Sequence, residues 1–187
     1  AWNGSSALYF PDVKGQKLFR YLPKEKMLEV VLENAGRISA SYFSQGALYL
    51  SDNAEGRIAR FSKGKKEYLT AAEGSGKDLA RPNDLVVDSS GGIYFTLTKQ
   101  GRVMYRLPNG ELVVAVSDVQ SPNGITMSPD GATTAFCASS SPMSQRLSIA
   151  SASTVRYAPS VAPVRICGAS SSSHSAPPKT RRRTVCG

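Results

Sequence analysis

The chain has 187 residues, of which 41% are hydrophobic and 20% are charged, and its formal net charge is +9. This composition is that of a globular protein and excludes a collagen-like chain or one that is disordered throughout. No apolar run approaches the roughly 18–20 residues that a membrane-spanning helix needs, so we predict no membrane association.

Charge is divided unevenly along the chain. All 14 acidic residues precede position 132, whereas all three cysteines (Cys137, Cys167 and Cys186) follow it. We therefore predict a folded region over residues 1–131 and a low-complexity, disordered tail over residues 132–187. Sequence rich in Ser, Ala and Arg buries too little apolar surface to offset the entropy lost on ordering.

Short apolar segments bounded by Gly, Pro, Asn and Ser predict β-strands through the folded region. In chain order they cover residues 7–10, 18–21, 27–32, 47–50, 58–61, 85–87, 92–95, 103–107, 112–116 and 122–127. Three of them share an apolar–Tyr–apolar pattern around Tyr9, Tyr49 and Tyr94, which are 40 and then 45 residues apart. About four short strands in such a period are typical of a β-propeller blade. We predict an all-β fold of about three antiparallel blades, with the three tyrosines at equivalent positions.

A second repeat places asparagine before two strands. Pro82-Asn83-Asp84 recurs 40 residues later as Pro122-Asn123-Gly124, each time at the start of an apolar strand. A single asparagine at such a position is explained by turn chemistry. Two at the same point of successive repeats favour a shared site at one mouth of the propeller channel.

Three segments resemble the gluconolactonase/regucalcin (senescence marker protein) family: residues 7–21, 81–96 and 121–131. The resemblance covers residues 1–131. It implies a six-bladed propeller with one divalent cation, calcium or zinc, in its central channel. It also implies hydrolysis of a small-molecule sugar lactone.

The resemblance further implies roles for individual residues. Asn83 and Asn123 would be metal ligands, and Asn83 would share substrate binding with Arg81. Asp84 is the candidate catalytic residue beside the metal. Two of these assignments have a structural alternative, since Arg81 fits a solvated surface charge and Asp84 fits a turn aspartate.

The sequence also departs from the family pattern. The family carries a ligand Glu shortly before the tryptophan that Trp2 resembles, and a second acidic ligand in a later Pro-Asp-Gly segment. In the repeat register, Ile38 and Ser39 stand where Asn83 and Asp84 are expected. We therefore expect the chain as written to be truncated and inactive, with neutral metal ligands alone.

Alternative interpretations concern the class of function and the tail. A non-catalytic β-propeller binding module is the alternative function, because propellers serve many functions. Residues 132–187 are also consistent with an out-of-frame translation. The basic cluster at residues 179–183 lacks the aromatic residues and recognition helix of a nucleic-acid site, so we predict no nucleic-acid partner. His174 lies in a serine-rich run and is an unsuitable member of a catalytic triad.

Overall fold

The computed structural model describes residues 1–131, 133–138 and 164–168, the last as backbone only. In these ranges the chain is all-β apart from one 3-10 turn at Gly76–Asp78. None of the described residues forms a helix that is long and apolar enough to cross a membrane. The predictions for His174, Cys186 and the basic cluster at residues 179–183 lie outside the described residues.

The described strands form four sheets. Sheet one contains β1 (Leu8–Asp12), β2 (Lys17–Leu22) and β3 (Met27–Leu32). Sheet two contains β4 (Ile38–Ser44), β5 (Ala47–Asp52), β6 (Arg57–Ser62) and β7 (Lys65–Tyr68). Sheet three contains β8 (Pro82–Val87), β9 (Ile93–Leu97), β10 (Arg102–Arg106) and β11 (Leu112–Val116). Sheet four contains β12 (Pro122–Met127), β13 (Thr134–Ala138) and β14 (Val164–Gly168), the last paired in parallel with β13.

The predicted equivalence of the three tyrosines is confirmed by strand register. Each tyrosine pairs with a residue of the following strand at the same sequence separation: Tyr9 with Arg20, Tyr49 with Arg60 and Tyr94 with Tyr105. Sheets two and three have the four antiparallel strands that the prediction requires. Sheet one has three, together with a single bridge from Trp2 to Leu8 that lies beside β1.

Four described strands were absent from the sequence-based prediction: β13 and β14 lie beyond residue 131, whereas β4 and β7 lie within the predicted folded region. Strand β7 is the outer strand of sheet two and consists of Lys65, Lys66, Glu67 and Tyr68, with no apolar run. Strand β4 begins Ile-Ser-Ala-Ser and therefore lacks the continuous apolar pattern of its neighbours. Both are strands because a paired neighbour supplies their backbone hydrogen bonds, which local hydrophobicity does not report.

Apolar clusters fill the space between successive sheets. Residues of sheet one pack on sheet two, sheet two on sheet three, and sheet three on sheet four. The Tyr9 ring stacks on Phe43 of sheet two, and Tyr49 lies in the same cluster as Phe95 of sheet three. Stacking fixes the rotation of each blade relative to the next and brings β4, β8 and β12 side by side. Strand β13 pairs with β12 across position 132, and the domain boundary placed there stays a prediction.

Two turn glycines support this stacking at equivalent places. Gly56 and Gly101 both have a left-handed backbone, with φ of 65° and 63°. A Cβ atom at Gly56 would lie 2.6 Å from the Ala80 carbonyl oxygen, and one at Gly101 would lie 2.8 Å from the Val119 oxygen. Each glycine therefore lets the linker to the next blade pass directly over the turn.

Gly56→Ala is expected to lower the free energy of unfolding by about 2–5 kcal/mol. The substitution combines a left-handed alanine, at about 1–2 kcal/mol, with overpacking at about 1–3 kcal/mol. Gly46→Ala is the control, since Gly46 has a φ of 73° but a Cβ atom there would meet no other atom within 4 Å. Urea unfolding of both variants measures the difference. Equal losses would contradict the close approach of the linker to Gly56.

Candidate functional site

The first strands of sheets two, three and four each carry a bulge at the same place. Between its first pair and the next, each strand has one residue more than its partner. The bulges begin after Ile38, Pro82 and Pro122, which pair with Asp52, Leu97 and Ala138. Bulges re-aim side chains and often lie beside functional sites.

This register corrects one prediction. Ile38 pairs as Pro82 does, so Ser39 occupies the position of Asn83 and Ala40 that of Asp84. The prediction that Ile38 stands at the asparagine position is therefore wrong by one residue. The extra residue of the bulge cannot be located from spacing alone, because the strand before Tyr49 has no Pro-Asn motif to mark it.

Asn83 and Asn123 lie at the same end of neighbouring strands, each directly after the proline that opens its bulge. Their backbone carbonyls are held in the same way by the preceding blades. The Ser39 hydroxyl donates to Asn83 O at 2.7 Å, and the Thr96 hydroxyl donates to Asn123 O at 2.7 Å. The fold thus brings the two asparagine backbones to one edge of adjacent blades, and a shared cation between their side chains stays a prediction.

The side chains of both asparagines are available for a ligand. Asn83 is half-buried and Asn123 is exposed. Within the described ranges, no hydrogen bond is made by either side-chain amide. Their neutral amide oxygens are of the kind that a hard divalent cation accepts.

Arg81 lies just before this edge and is half-buried. Its Nη1 donates to the carbonyl oxygens of Asn53 at 2.6 Å and Ala54 at 3.1 Å, in the turn after β5. The guanidinium therefore ties sheet three to sheet two. Its role in substrate binding stays a prediction.

Both carboxylate oxygens of Asp84 accept hydrogen bonds from backbone amides. Its Oδ1 accepts from Leu85 N and its Oδ2 from Ile125 N, both at 2.9 Å. The second of these bonds reaches into sheet four. The assignment of Asp84 as the catalytic residue stays a prediction.

A buried ionic cluster in sheet two was missed by sequence reasoning. Asp52 is 0% exposed, and its Oδ2 lies 2.6 Å from Lys66 Nζ. The Tyr68 hydroxyl donates to the same oxygen at 3.1 Å, and burial raises the pKa of that hydroxyl. Lys66 also donates to Ala35 O at 2.7 Å, in the connection from sheet one. The pairing joins two strands that are not neighbours in the sheet, and no local sequence pattern signals it.

The described residues supply no ready-made acidic metal centre. No group of three or more His, Cys, Asp or Glu side chains among them is placed to hold a metal ion. The side chains at the edge of β8 and β12 that make no hydrogen bond to described residues, Asn83 and Asn123, are neutral donors, whereas both oxygens of Asp84 accept backbone amides. Because the number of charged ligands sets much of the affinity for calcium, this set on its own predicts weak binding.

Comparison with known proteins gives a consistent picture. A family model described as "SMP-30/Gluconolactonase/LRE-like region" matches residues 1–164. The Arabidopsis thaliana protein Strictosidine synthase-like 3 is 26% identical over 158 aligned residues, which cover 73% of this chain and 40% of that protein. A gluconolactonase from Xanthomonas campestris has 23% identity and a TM-score of 0.60, covering 70% of this chain and 50% of its own. A streptogramin B lyase has 18% identity and a TM-score of 0.59, and the match covers 70% of this chain and 44% of the lyase chain.

These relatives are all longer than the part they share with this chain. The chain spans 40% of the curated relative and about half the length of the solved gluconolactonases. The solved structures show a shared propeller-like fold.

Proposed function

Since the chain belongs to the SMP-30/gluconolactonase/LRE-like family, we propose that it forms part of a cation-dependent hydrolase of small sugar lactones. One observation carries this proposal: Asn83 and Asn123 occupy equivalent bulges on adjacent strands, with side-chain amides that no described residue binds. Turn chemistry is enough to explain a single asparagine, whereas two at matching bulges of adjacent strands favour a shared site.

In the proposed site, the amide oxygens of Asn83 and Asn123 hold a calcium or zinc ion. Such a cation polarises an ester carbonyl and lowers the pKa of bound water. Asn83, on the bulge of β8, also contacts the lactone. Neutral ligands leave the cation much of its Lewis acidity but give it little affinity, so further carboxylate ligands complete the site.

Arg81 orients the lactone in this proposal. A guanidinium has five N–H donors, and the two bonds to Asn53 and Ala54 are both made from Nη1. Nη2 and Nε then serve hydroxyl or ring oxygens of the sugar. The two carbonyl bonds fix the direction of the group.

Cation binding by the 187-residue chain tests the proposal directly. Asn83→Ala and Asn123→Ala are each expected to weaken binding of Ca²⁺ or Zn²⁺ by about tenfold or more, since loss even of a ligand's supporting contact costs about that much. Asn109→Ala is the control, because Asn109 Oδ1 accepts from Glu111 N in an exposed turn of sheet three. Isothermal titration measures all four proteins.

Hydrolysis of gluconolactone, followed by acid release with and without a chelator, completes the test. We expect little turnover by the chain alone, because neutral ligands bind the cation weakly. Asn123→Asp is expected to tighten cation binding, since it adds a charged ligand. Failure of the parent chain to bind either cation, or hydrolysis above the spontaneous rate that a chelator leaves unchanged, would contradict the proposed function.

A further inference from the structure

Three backbone groups of the β12 bulge form hydrogen bonds with side chains of the preceding blade, sheet three. Thr98 Oγ1 donates to Pro122 O at 2.6 Å, Thr96 Oγ1 donates to Asn123 O at 2.7 Å, and Asp84 Oδ2 accepts from Ile125 N at 2.9 Å. The segment is therefore fixed on both sides of Asn123. The Asn123 side chain is left free of hydrogen bonds to described residues.

Asp84 and Thr96 also bind each other. The Asp84 amide donates to Thr96 Oγ1 at 3.2 Å, and Thr96 is 0% exposed. Because the hydroxyl donates its own proton to Asn123 O, the two blades share one continuous chain of hydrogen bonds. Such networks hold their members more firmly than isolated bonds do.

The preceding pair of blades shows what this arrangement adds. There Ala40 stands at the Asp84 position and Ser51 at the Thr96 position, and the buried Ser51 hydroxyl has no hydrogen-bond partner among the described residues. Leu85 N, the counterpart of Ile125 N, is bound by Asp84 of its own strand. The carboxylate of Asp84 therefore serves the amide of its own bulge and that of the next.

From this geometry we infer that Asp84 is a positioning residue that aims Asn123 at the cation, with Thr96 as its partner, rather than the base that takes a proton from water. The inference rests on the proposed function. A base needs a carboxylate oxygen turned toward the water that it deprotonates. Both oxygens of Asp84 are instead directed at backbone N–H groups, one in each of two blades.

The variants Asp84→Asn and Asp84→Ala in the full chain test whether Asp84 positions Asn123 or takes a proton from water. Asparagine keeps one acceptor oxygen and alanine keeps none, whereas both remove a base completely. Positioning predicts that Asp84→Ala speeds hydrogen exchange of the Ile125 amide and shifts the Asn123 side-chain NH₂ resonances, with Asp84→Asn in between. The same order is expected for Ca²⁺ affinity, with a loss of about tenfold or more in Asp84→Ala.

Asp88→Asn is the matched control. Asp88 accepts backbone amides in the same blade, from Ser90 and Gly92, but has no contact with the bulge. It is expected to lower stability while leaving the Asn123 resonances and the Ca²⁺ affinity unchanged. Should Asp84→Ala fail to fold, Thr96→Val tests the same network, with Thr96→Ser as the variant that restores the donor.

The outcomes distinguish this inference from the proposed function. If the parent chain binds no cation, the proposed function fails, while the exchange and resonance measurements still decide whether Asp84 positions Asn123. Unchanged Ile125 exchange and Asn123 resonances in Asp84→Ala would overturn the inference. So would an unchanged Ca²⁺ affinity in both Asp84→Asn and Asp84→Ala, because a base acts on water and is not needed to hold the cation.

Discussion

Lys66→Met is expected to lower the free energy of unfolding by about 3–5 kcal/mol, the usual cost of removing one partner of a buried ion pair. Asp52 is 0% exposed, and the Lys66 side chain is 14% exposed. Methionine fills a similar volume but leaves the Asp52 carboxylate with only the Tyr68 hydroxyl and the Glu55 amide as donors among the described residues. Loss of the Lys66 bond to Ala35 O also loosens the connection between sheets one and two.

Lys65→Met provides the control for this prediction. Lys65 lies next to Lys66 on β7 but is exposed, so its replacement is expected to change stability by less than about 0.5 kcal/mol. The double variant Asp52→Asn with Lys66→Met is expected to recover part of the loss, because it leaves no uncompensated buried charge. Urea unfolding monitored by tyrosine and tryptophan fluorescence measures all three. Similar effects of the two lysine variants would show that the buried pair adds nothing.

Alkaline unfolding is expected to depend strongly on Tyr105. This residue is 1% exposed, and its hydroxyl donates to Asp88 Oδ2 at 2.7 Å. Burial first, and then the hydrogen bond to Asp88, raise the pKa of Tyr105 to about 12 from the ordinary value of 10.0. A folded-state pKa above the unfolded one gives stability that is complete below pH 10 and is lost as the pH rises to about 12. At roughly 1.4 kcal/mol for each unit, the loss is about 3 kcal/mol.

Tyr105→Phe isolates this contribution. At pH 7 the variant is expected to be less stable than the parent by about 1.5–3 kcal/mol, since it removes a hydrogen bond to a charged acceptor. Between pH 10 and 12 the parent loses stability as Tyr105 ionises, whereas the variant has no such group. The free energies of unfolding of the two proteins therefore converge. Guanidinium titrations at pH 7, 10 and 12 measure the difference. If the difference in the free energy of unfolding between the parent and Tyr105→Phe stayed constant from pH 7 to pH 12, the link between Tyr105 ionisation and stability would be contradicted.

The pKa of Asp88, the acidic partner of Tyr105, is shifted in the opposite direction, so it affects stability at low pH. Burial alone would raise the pKa of Asp88, but hydrogen bonds from Ser90, Tyr105 and the Gly92 amide outweigh it and hold the pKa below its usual value. The stability that these bonds provide is present above the unfolded pKa near 3.8 and is lost as the pH falls through the folded one. Tyr105→Phe removes one of the donors and should therefore also weaken the acid dependence.

The sequence by itself determined the blade repeat. The apolar–Tyr–apolar pattern around positions 9, 49 and 94, in segments bounded by turn residues, predicted equivalent strands, and the register confirms those positions. This succeeded because alternation of apolar side chains and the left-handed conformations of turns are properties of short segments. The Pro-Asn motifs likewise marked two of the three bulges.

Only the tertiary structure decided which strands and side chains that are distant in the sequence come into contact. The outer strand β7 is polar and is a strand because β6 pairs with it. The third bulge, at Ser39, has no motif of its own and appears only in the pairing of β4 with β5. Lys66 meets Asp52 across an intervening strand, and Asp84 meets the Ile125 amide 41 residues away. The first three features depend on strand pairing within sheet two, and the contact of Asp84 with Ile125 depends on the packing of sheet three against sheet four. Both are set by residues far apart in the chain, so no single segment encodes them.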